Sequence, residues 1–311
     1  MDNLVLGAMF FGTLVDERTS FAILDRFVDA GGVWVDTADS YAFWQDPSGF
    51  GGQSEALLGR WLAARPGVRD RVRISTKVGA EVTEPGRFPE SSEGLSAGVI
   101  RSAAEAGLKR LGTDRVELYW AHMPDPATPL EETVAAFDDL VSAGTVARVG
   151  CSNYPLWQVE RARQIAHASG RTGFTALQLQ HSYLRPRPAL RPDPDAPVRF
   201  GAVTDETLHY LEHHPDVALW AYTPLLAGGY TRADKPLPPK YDHPGTARCL
   251  AALDAVAAET GANRNRVVLA WLLPTAVPIV GVSTVEQLDE AIAGVTLTLT
   301  DEQRARLDAE V

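Results

Sequence analysis

The chain has 311 residues, 45% of them hydrophobic and 22% charged, enough apolar material to bury a large core. Its formal net charge of −11 argues against a nucleic-acid or anionic-membrane partner, because neutralising phosphates takes clustered Lys and Arg. Only two cysteines occur, Cys151 and Cys249, so no disulfide framework braces the fold, which fits a reducing, cytoplasmic setting.

The apolar start Leu4–Val15 has the length of a signal-peptide core. It lacks a basic flank and a small-residue cleavage site, however, and Asp2 precedes it. No apolar run approaches the roughly 18 residues of a membrane span. We read Leu4–Met9 as a first strand. The helix Ser20–Ala30 follows, with Ile23, Leu24, Phe27 and Val28 on one face, and stops at Gly31. Val33–Asp36 is a second strand and Ser54–Ala64 a second helix, while Arg73–Lys77 and Val116–His122 read as strands three and four. Thr128-Pro129-Leu130-Glu131 has the spacing of a capping box and opens a helix that ends at Gly144. Beyond it, the strands Ala147–Cys151, Ala176–Gln180, Val217–Tyr222 and Val277–Val280 alternate with helices over Pro155–Ser169, Thr204–His214, Thr246–Thr260, Asn263–Leu273 and Val285–Ala293. A last helix is expected over Asp301–Glu310.

Short, near-continuously apolar strands separated by amphipathic helices are the pattern of a parallel sheet buried on both faces. Eight such strands, with no G-x-G-x-x-G after the first, favour a closed (β/α)8 TIM barrel over a doubly wound sheet. Barrels of this kind use such a length for one domain, so 1–311 is read as a single domain. Two stretches break the rhythm, Ala42–Gln53 after strand two and the Pro- and Arg-rich Arg185–Gly201 after strand six. Both follow strand C-termini, where barrel enzymes build their pockets.

The strand ends carry the chemistry. Strand two ends at Asp36 with Tyr41 just beyond, strand three in "ISTK" at Lys77, and strand four in "LYWAH" at His122. Singly, these have structural readings as a cap, a snorkelling lysine and a core histidine. Together they place a carboxylate, a phenol, an ammonium and an imidazole at one barrel mouth. A free phenol titrates near 10. A neighbouring ammonium is expected to lower that value, Asp36 to orient Lys77, and His122 to hydrogen-bond a substrate oxygen. Such a set suits protonation of a carbonyl oxygen while hydride reaches its carbon.

The motifs "DTADSY", "STK", "LYWAH", "GCSN", "ALQLQ", "AYTPL" and "PIVGVSTVEQLDEA", in this order over nearly the whole chain, resemble the aldo-keto reductase family. The resemblance implies a nicotinamide cofactor, NADP(H) with NAD(H) not excluded, bound in extended form across the barrel mouth. It also implies an oxidoreductase that interconverts an aldehyde or ketone with an alcohol. Asp36, Tyr41, Lys77 and His122 match the family's catalytic four. Ser152, Asn153 and Gln178 match its carboxamide-binding residues, and Tyr222 the aromatic that stacks on nicotinamide. Pro224, Leu225 and Gly228 match the pyrophosphate loop, and Gly281, Ser283, Thr284 and Gln287 the segment after strand eight. Trp44, Trp120 and Met123, with Phe43, Phe50 and Trp157, are read as an aromatic substrate pocket.

The chain also departs from the family pattern. Gln180 and His181 stand where the family often has an acid and a tyrosine, and no hairpin is expected before Gly7. Without that hairpin, the N-terminal end of the barrel needs cover from Asp301–Glu310 or another subunit. No Lys or Arg occurs from Val267 through Gln303, the segment in which the family commonly grips a 2′-phosphate. A metal-dependent barrel hydrolase would want H-x-H at the end of strand one, where "LGAMFFG" stands, and His213-His214 reads as a solvated pair. A cofactor-binding regulatory protein with little turnover would keep the fold without the chemistry. The resemblance implies a small carbonyl compound or alcohol as substrate. Either direction of reaction, and either a monomer or a two-fold assembly, is compatible with the sequence.

Overall fold

A computed structural model describes residues 1–187 and 201–311. Of the proline-rich stretch Arg185–Gly201, residues 188–200 lie outside the described residues. Eight parallel strands close in sequence order: β1 (Val5–Gly7), β2 (Trp34–Asp36), β3 (Arg73–Val78), β4 (Leu118–Ala121), β5 (Val149–Ser152), β6 (Ala176–Gln180), β7 (Ala218–Tyr222) and β8 (Val277–Gly281). Closure is made by β8 on β1, with Val5 opposite Ile279 and Gly7 opposite Gly281. This is the (β/α)8 barrel expected from the alternation of strands and helices.

Around it lie α1 (Glu17–Asp29), α2 (Gln53–Ala64), α3 (Ala97–Leu111), α4 (Leu130–Ser142), α5 (Leu156–Ala168), α6 (Asp205–His213), α7 (Pro244–Thr260), α8 (Arg264–Leu272), α9 (Val285–Val295) and α10 (Asp301–Asp308). Among the described residues no helix is long and apolar enough to cross a membrane. Helix α3 has no counterpart in the sequence reading. Its buried face is Ile100, Ala104, Gly107 and Leu111, half of it too small to make an apolar stripe. Its ends were legible all the same, in Ser96, which caps Val99 N, and in left-handed Gly112. The expected capping box at Thr128 does not form. Thr128 donates to Asp125 Oδ2 at 2.7 Å, and α4 begins without a side-chain cap.

Alternation along each strand separates two cores. Outward residues such as Leu6, Val35, Ile74, Tyr119, Leu177 and Leu219 pack under the helices. Inward residues Val5, Trp34, Leu118, Trp120, Ala176, Trp220 and Ile279 fill the barrel. The ring centroids of Trp34 and Trp120 lie 5.1 Å and 5.3 Å from that of Trp220, both edge-on. The guanidiniums of Arg73 and Arg148 sit 5.7 Å and 5.8 Å from the Trp34 ring.

The interior is thus plugged by three indoles, and two expectations change. Trp120 does not line the substrate pocket, because it faces inward from β4 two residues before His122 and is fully buried in this plug. Nor does α10 cover the barrel. It packs on α7, and Arg304 donates to the carbonyls of Ala270 and Trp271 at the end of α8. Residues before Val5 form no strand, as expected. Met1 N donates to Gly31 O, and Asn3 Nδ2 to Val295 O.

Gly150 on β5 leaves the space that Trp120 occupies. A Cβ there would stand 2.5 Å from two Trp120 ring carbons and 2.9 Å from the Ala176 carbonyl oxygen. The ring is locked by Trp220 and the carbonyl is backbone, so neither neighbour yields cheaply. We expect Gly150→Ala to lose about 1–3 kcal/mol of stability, the range for overpacking a filled core, when unfolded in urea. A change within 0.5 kcal/mol would mean that the plug is looser than described.

Candidate active site

Strands β2 and β3 are neighbours, with Asp36 opposite Ser75, so the inward residues Asp36, Ser75 and Lys77 meet. Lys77 is 1% exposed. Its Nζ donates to Asp36 Oδ2 at 2.5 Å, to the Thr37 carbonyl at 2.7 Å and to the Tyr41 phenol oxygen at 2.7 Å. All three ammonium protons are therefore committed. Asp36 Oδ1 accepts from Ser75 Oγ at 2.5 Å and from Gln178 Nε2 at 3.2 Å. Tyr41 stands on the turn after β2, where the next residue, Ala42, takes φ 67°, a left-handed conformation that non-glycine residues seldom adopt. The His122 ring lies 5.7 Å from that of Tyr41, and its Nδ1 is 3.4 Å from Ser40 Oγ. The structure thus brings together the four residues read from the strand ends.

Electrostatics departs from expectation at one point. Lys77 was expected to draw the Tyr41 phenol down, yet burial first, and Asp36 second, hold it well above its ordinary value. The reason is charge balance: the ammonium is neutralised by the carboxylate at 2.5 Å, so burial dominates the surroundings of the phenol. Burial also draws Lys77 down, with Asp36 opposing it. His122 is held well below its ordinary value, by burial and then by Lys77, and is neutral at physiological pH. The mouth therefore presents a protonated phenol and a neutral imidazole.

A second set of polar groups adjoins the first. Asn153, itself left-handed at φ 62°, donates from Nδ2 to the His122 carbonyl and to Ser152 Oγ, each at 3.0 Å. Its Oδ1 accepts from the Tyr222 hydroxyl at 2.9 Å. Ser152 and Gln178 are buried, and Gln178 reaches Asp36 directly. After β7, the Pro224 carbonyl accepts from Ser182 Oγ at 2.6 Å, and Leu226, Ala227 and Gly228 follow Leu225 with successive φ values of 49°, 55° and 98°. Such a run of left-handed residues is a strained loop of the sort found at ligand sites. Beyond Gly281, Thr284 Oγ1 caps α9 by accepting from Gln287 N at 3.3 Å. Gln287 Oε1 in turn accepts from Ser283 N at 2.8 Å and from Ser283 Oγ at 3.2 Å.

Other residues fall differently. His181 is buried against Trp271, with ring centroids 5.8 Å apart, and is pushed down to about 4, chiefly by burial. Trp44 is half-exposed and meets Phe10 and Phe43 edge-on at 6.3 Å and 4.9 Å, while Phe43 lies 5.4 Å from Phe88. This aromatic cluster draws on the loops after β1, β2 and β3, and the sequence reading missed Phe10 and Phe88. Met123 directly follows His122 and is half-buried, whereas Phe50 is exposed. Trp157, 66% exposed at the start of α5, makes no aromatic contact among the described residues. Ser75 was also missed, although its spacing of two from Lys77 on one strand puts both on the inner face. Gly7 and Gly281, paired at the ends of β1 and β8, add no side chain of their own to that side of the mouth.

The sequence pattern of the Aldo/keto reductase family matches residues 3–310. The chain is similar to the uncharacterized oxidoreductase YrpG of Bacillus subtilis, 32% identical over 97% of this chain and 90% of that protein. It is similar to norsolorinic acid reductase stcV of Emericella nidulans, 30% identical over 96% of this chain and 76% of that protein. It also resembles human aldo-keto reductase family 7 member A3, 36% identical over 53% of this chain and 45% of that protein. With the family pattern spanning nearly all of a closed eight-stranded barrel, the chain belongs to the aldo/keto reductase family.

Proposed function

We propose that the chain is an NAD(P)H-dependent carbonyl reductase in which Tyr41 gives the proton to the oxygen of an aldehyde or ketone. The observation that carries this reading is the commitment of all three Lys77 protons to Asp36, Thr37 and Tyr41. The ammonium has none left for a substrate, so the phenol O–H is the acid free to turn outward. Lys77, donating to the phenol oxygen, stabilises the phenolate left behind, and Asp36 keeps that ammonium charged and in place. His122, neutral, offers an N–H to the same substrate oxygen and adds no charge to a dry site. Relatives named as reductases support the reductive direction.

The polar groups beside the four fit a nicotinamide. Ser152, Asn153 and Gln178 would hold its carboxamide, Tyr222 would stack on its ring, and Pro224, Leu225 and Gly228 would flank the pyrophosphate. Gly281, Ser283, Thr284 and Gln287 would face the adenosine end. When bound, the nicotinamide exchanges hydride with the substrate carbon. Trp44 and Met123 would border the substrate.

Three outcomes test this reading. Tyr41→Phe should keep NADPH affinity within a few-fold while turnover on an aldehyde panel falls by roughly 10²–10⁴, the usual worth of a positioned general acid. A variant retaining most of its rate would remove Tyr41 from the role, and a wild-type protein that binds NADPH without oxidising it against any carbonyl would be a binding protein. Because the phenol is held above its ordinary value of 10.0, reduction should be level through neutral pH, and alcohol oxidation should still be rising at pH 10.0. A plateau in oxidation near neutrality would contradict the protonation state. Finally, with no Lys or Arg from Val267 through Gln303, NADP(H) should be favoured over NAD(H) by less than about a hundredfold, some 2.7 kcal/mol. Parallel titrations of both cofactors decide it, a larger ratio requiring a cation from elsewhere in the chain.

A further inference from the structure

Behind the loop that carries Tyr41, four carboxyls gather from three segments. Asp39 follows β2, Glu55 belongs to α2, and Glu81 and Glu93 lie between β3 and α3. One guanidinium is among them, that of Arg110 on α3, and it is spent on Glu55, with Nη2 at 2.6 Å and Nε at 2.7 Å. Glu55 also accepts from Thr76 Oγ1 at 2.5 Å. Glu81 accepts from Gly51 N at 3.0 and 3.1 Å, and Glu93 from Gly79 N at 2.8 Å.

Asp39 stands apart. It is 5% exposed, neither of its oxygens has a partner among the described residues, and its N donates to the carbonyl of Lys77, two residues before Gly79, whose N donates to Glu93 Oε1. A second buried polar group lies nearby. The Tyr119 hydroxyl on β4, in a residue 2% exposed, also lacks a partner among the described residues, and burial, then Asp39, Glu55 and Glu93, hold it well above its ordinary value. Two ionised carboxylates in contact repel, and an unpaired buried one pays its full desolvation. A single proton between them turns the contact into a hydrogen bond.

We propose that Asp39 and Glu93 share one proton at neutral pH, and that this acid pair clasps the loop presenting Tyr41 to the loop between β3 and α3. The two loops meet at further points. Gly51 packs so tightly that a Cβ on it would stand 2.3 Å from both the Asp39 carbonyl and Glu81 Oε2, and Phe43 touches Phe88. Asp39 is thus a positioning residue for Tyr41.

Burial, and then Glu93, Glu55 and Glu81, raise Asp39 well above its ordinary value, and burial raises Glu93 and Glu81. Arg110 acts in the opposite sense on Glu81 and Glu93, and Lys77 and Tyr41 each sense the Asp39 charge. A carboxyl raised in the folded state binds its proton more tightly there than in the unfolded chain. Its contribution is therefore whole below the unfolded value of 3.8 and is lost as pH rises through the folded value.

Asp39→Asn tests the clasp, because its amide donates to Glu93 and does not titrate. Infrared difference spectra in heavy water at neutral pH, wild type minus variant, should contain the C=O band of a protonated carboxyl. Thermal midpoints recorded from about pH 5 to about pH 9 should fall with pH more steeply in the wild type than in Asp39→Asn. Amide exchange of both loops should quicken by about tenfold or more in Asp39→Ala and return to the wild-type rate in Asp39→Asn. Should Asp39→Ala fail to fold, Glu93→Ala against Glu93→Gln supplies the same comparison. A wild type without the carboxyl band, parallel midpoint curves, or exchange as fast in the amide variant as in the alanine variant would each overturn the proposal.

Discussion

An ammonium sealed inside a barrel must be surrounded by acceptors, and the geometry of this mouth follows from that requirement at Lys77. Burying an unpaired ion costs several kcal/mol even after relaxation, so the position is tenable only with full compensation. Asp36 supplies the countercharge, the Thr37 carbonyl a second acceptor and the Tyr41 phenol a third. Adjacent parallel strands set the first of these by register. The turn after β2, with left-handed Ala42, sets the last. Because the pair is neutral overall, the phenol beside it keeps its proton.

The ammonium pair rests on a dry floor. Trp34, Trp120 and Trp220 fill the barrel interior, and Gly150 opens the space for one of them. Water kept out from below leaves the hydrogen bonds of the mouth in a medium where each is worth more than in solvent. Above the pair, the carbonyl of His122 and the side chains of Ser152 and Tyr222 converge on the Asn153 amide, while Gln178 ties the same region to Asp36. A change in one polar residue of this layer therefore alters the orientation of the others. The aromatic rim of Phe10, Phe43, Trp44 and Phe88 lies on the loops outside it.

Much of this was readable from residues alone, for a physical reason in each case. A strand that ends in a charge after an apolar run points that charge at the mouth, which made Asp36, Lys77 and His122 visible. Strand order followed from the alternation of elements. The misses have reasons too. Helix α3 hides its buried face behind Ala104 and Gly107, and Trp120 shares the inner face with His122 but lies one pleat deeper. Thr128 found a nearer acceptor in Asp125 than the backbone of its helix. The pairing of Asp39 with Glu93 joins two loops far apart in the chain, and no local pattern announces it. Nor does composition tell how a neighbouring carboxylate cancels the pull of Lys77 on Tyr41.

The most direct measurement is a crystal structure with NADP⁺ and an unreactive carbonyl compound bound together. The carbonyl oxygen is expected within hydrogen-bonding range of both Tyr41 Oη and a His122 ring nitrogen, about 2.6–3.2 Å, with Lys77 Nζ still held by Asp36, Thr37 and Tyr41. A carbonyl oxygen bound directly by Lys77, or one that leaves Tyr41 out of reach, would contradict it.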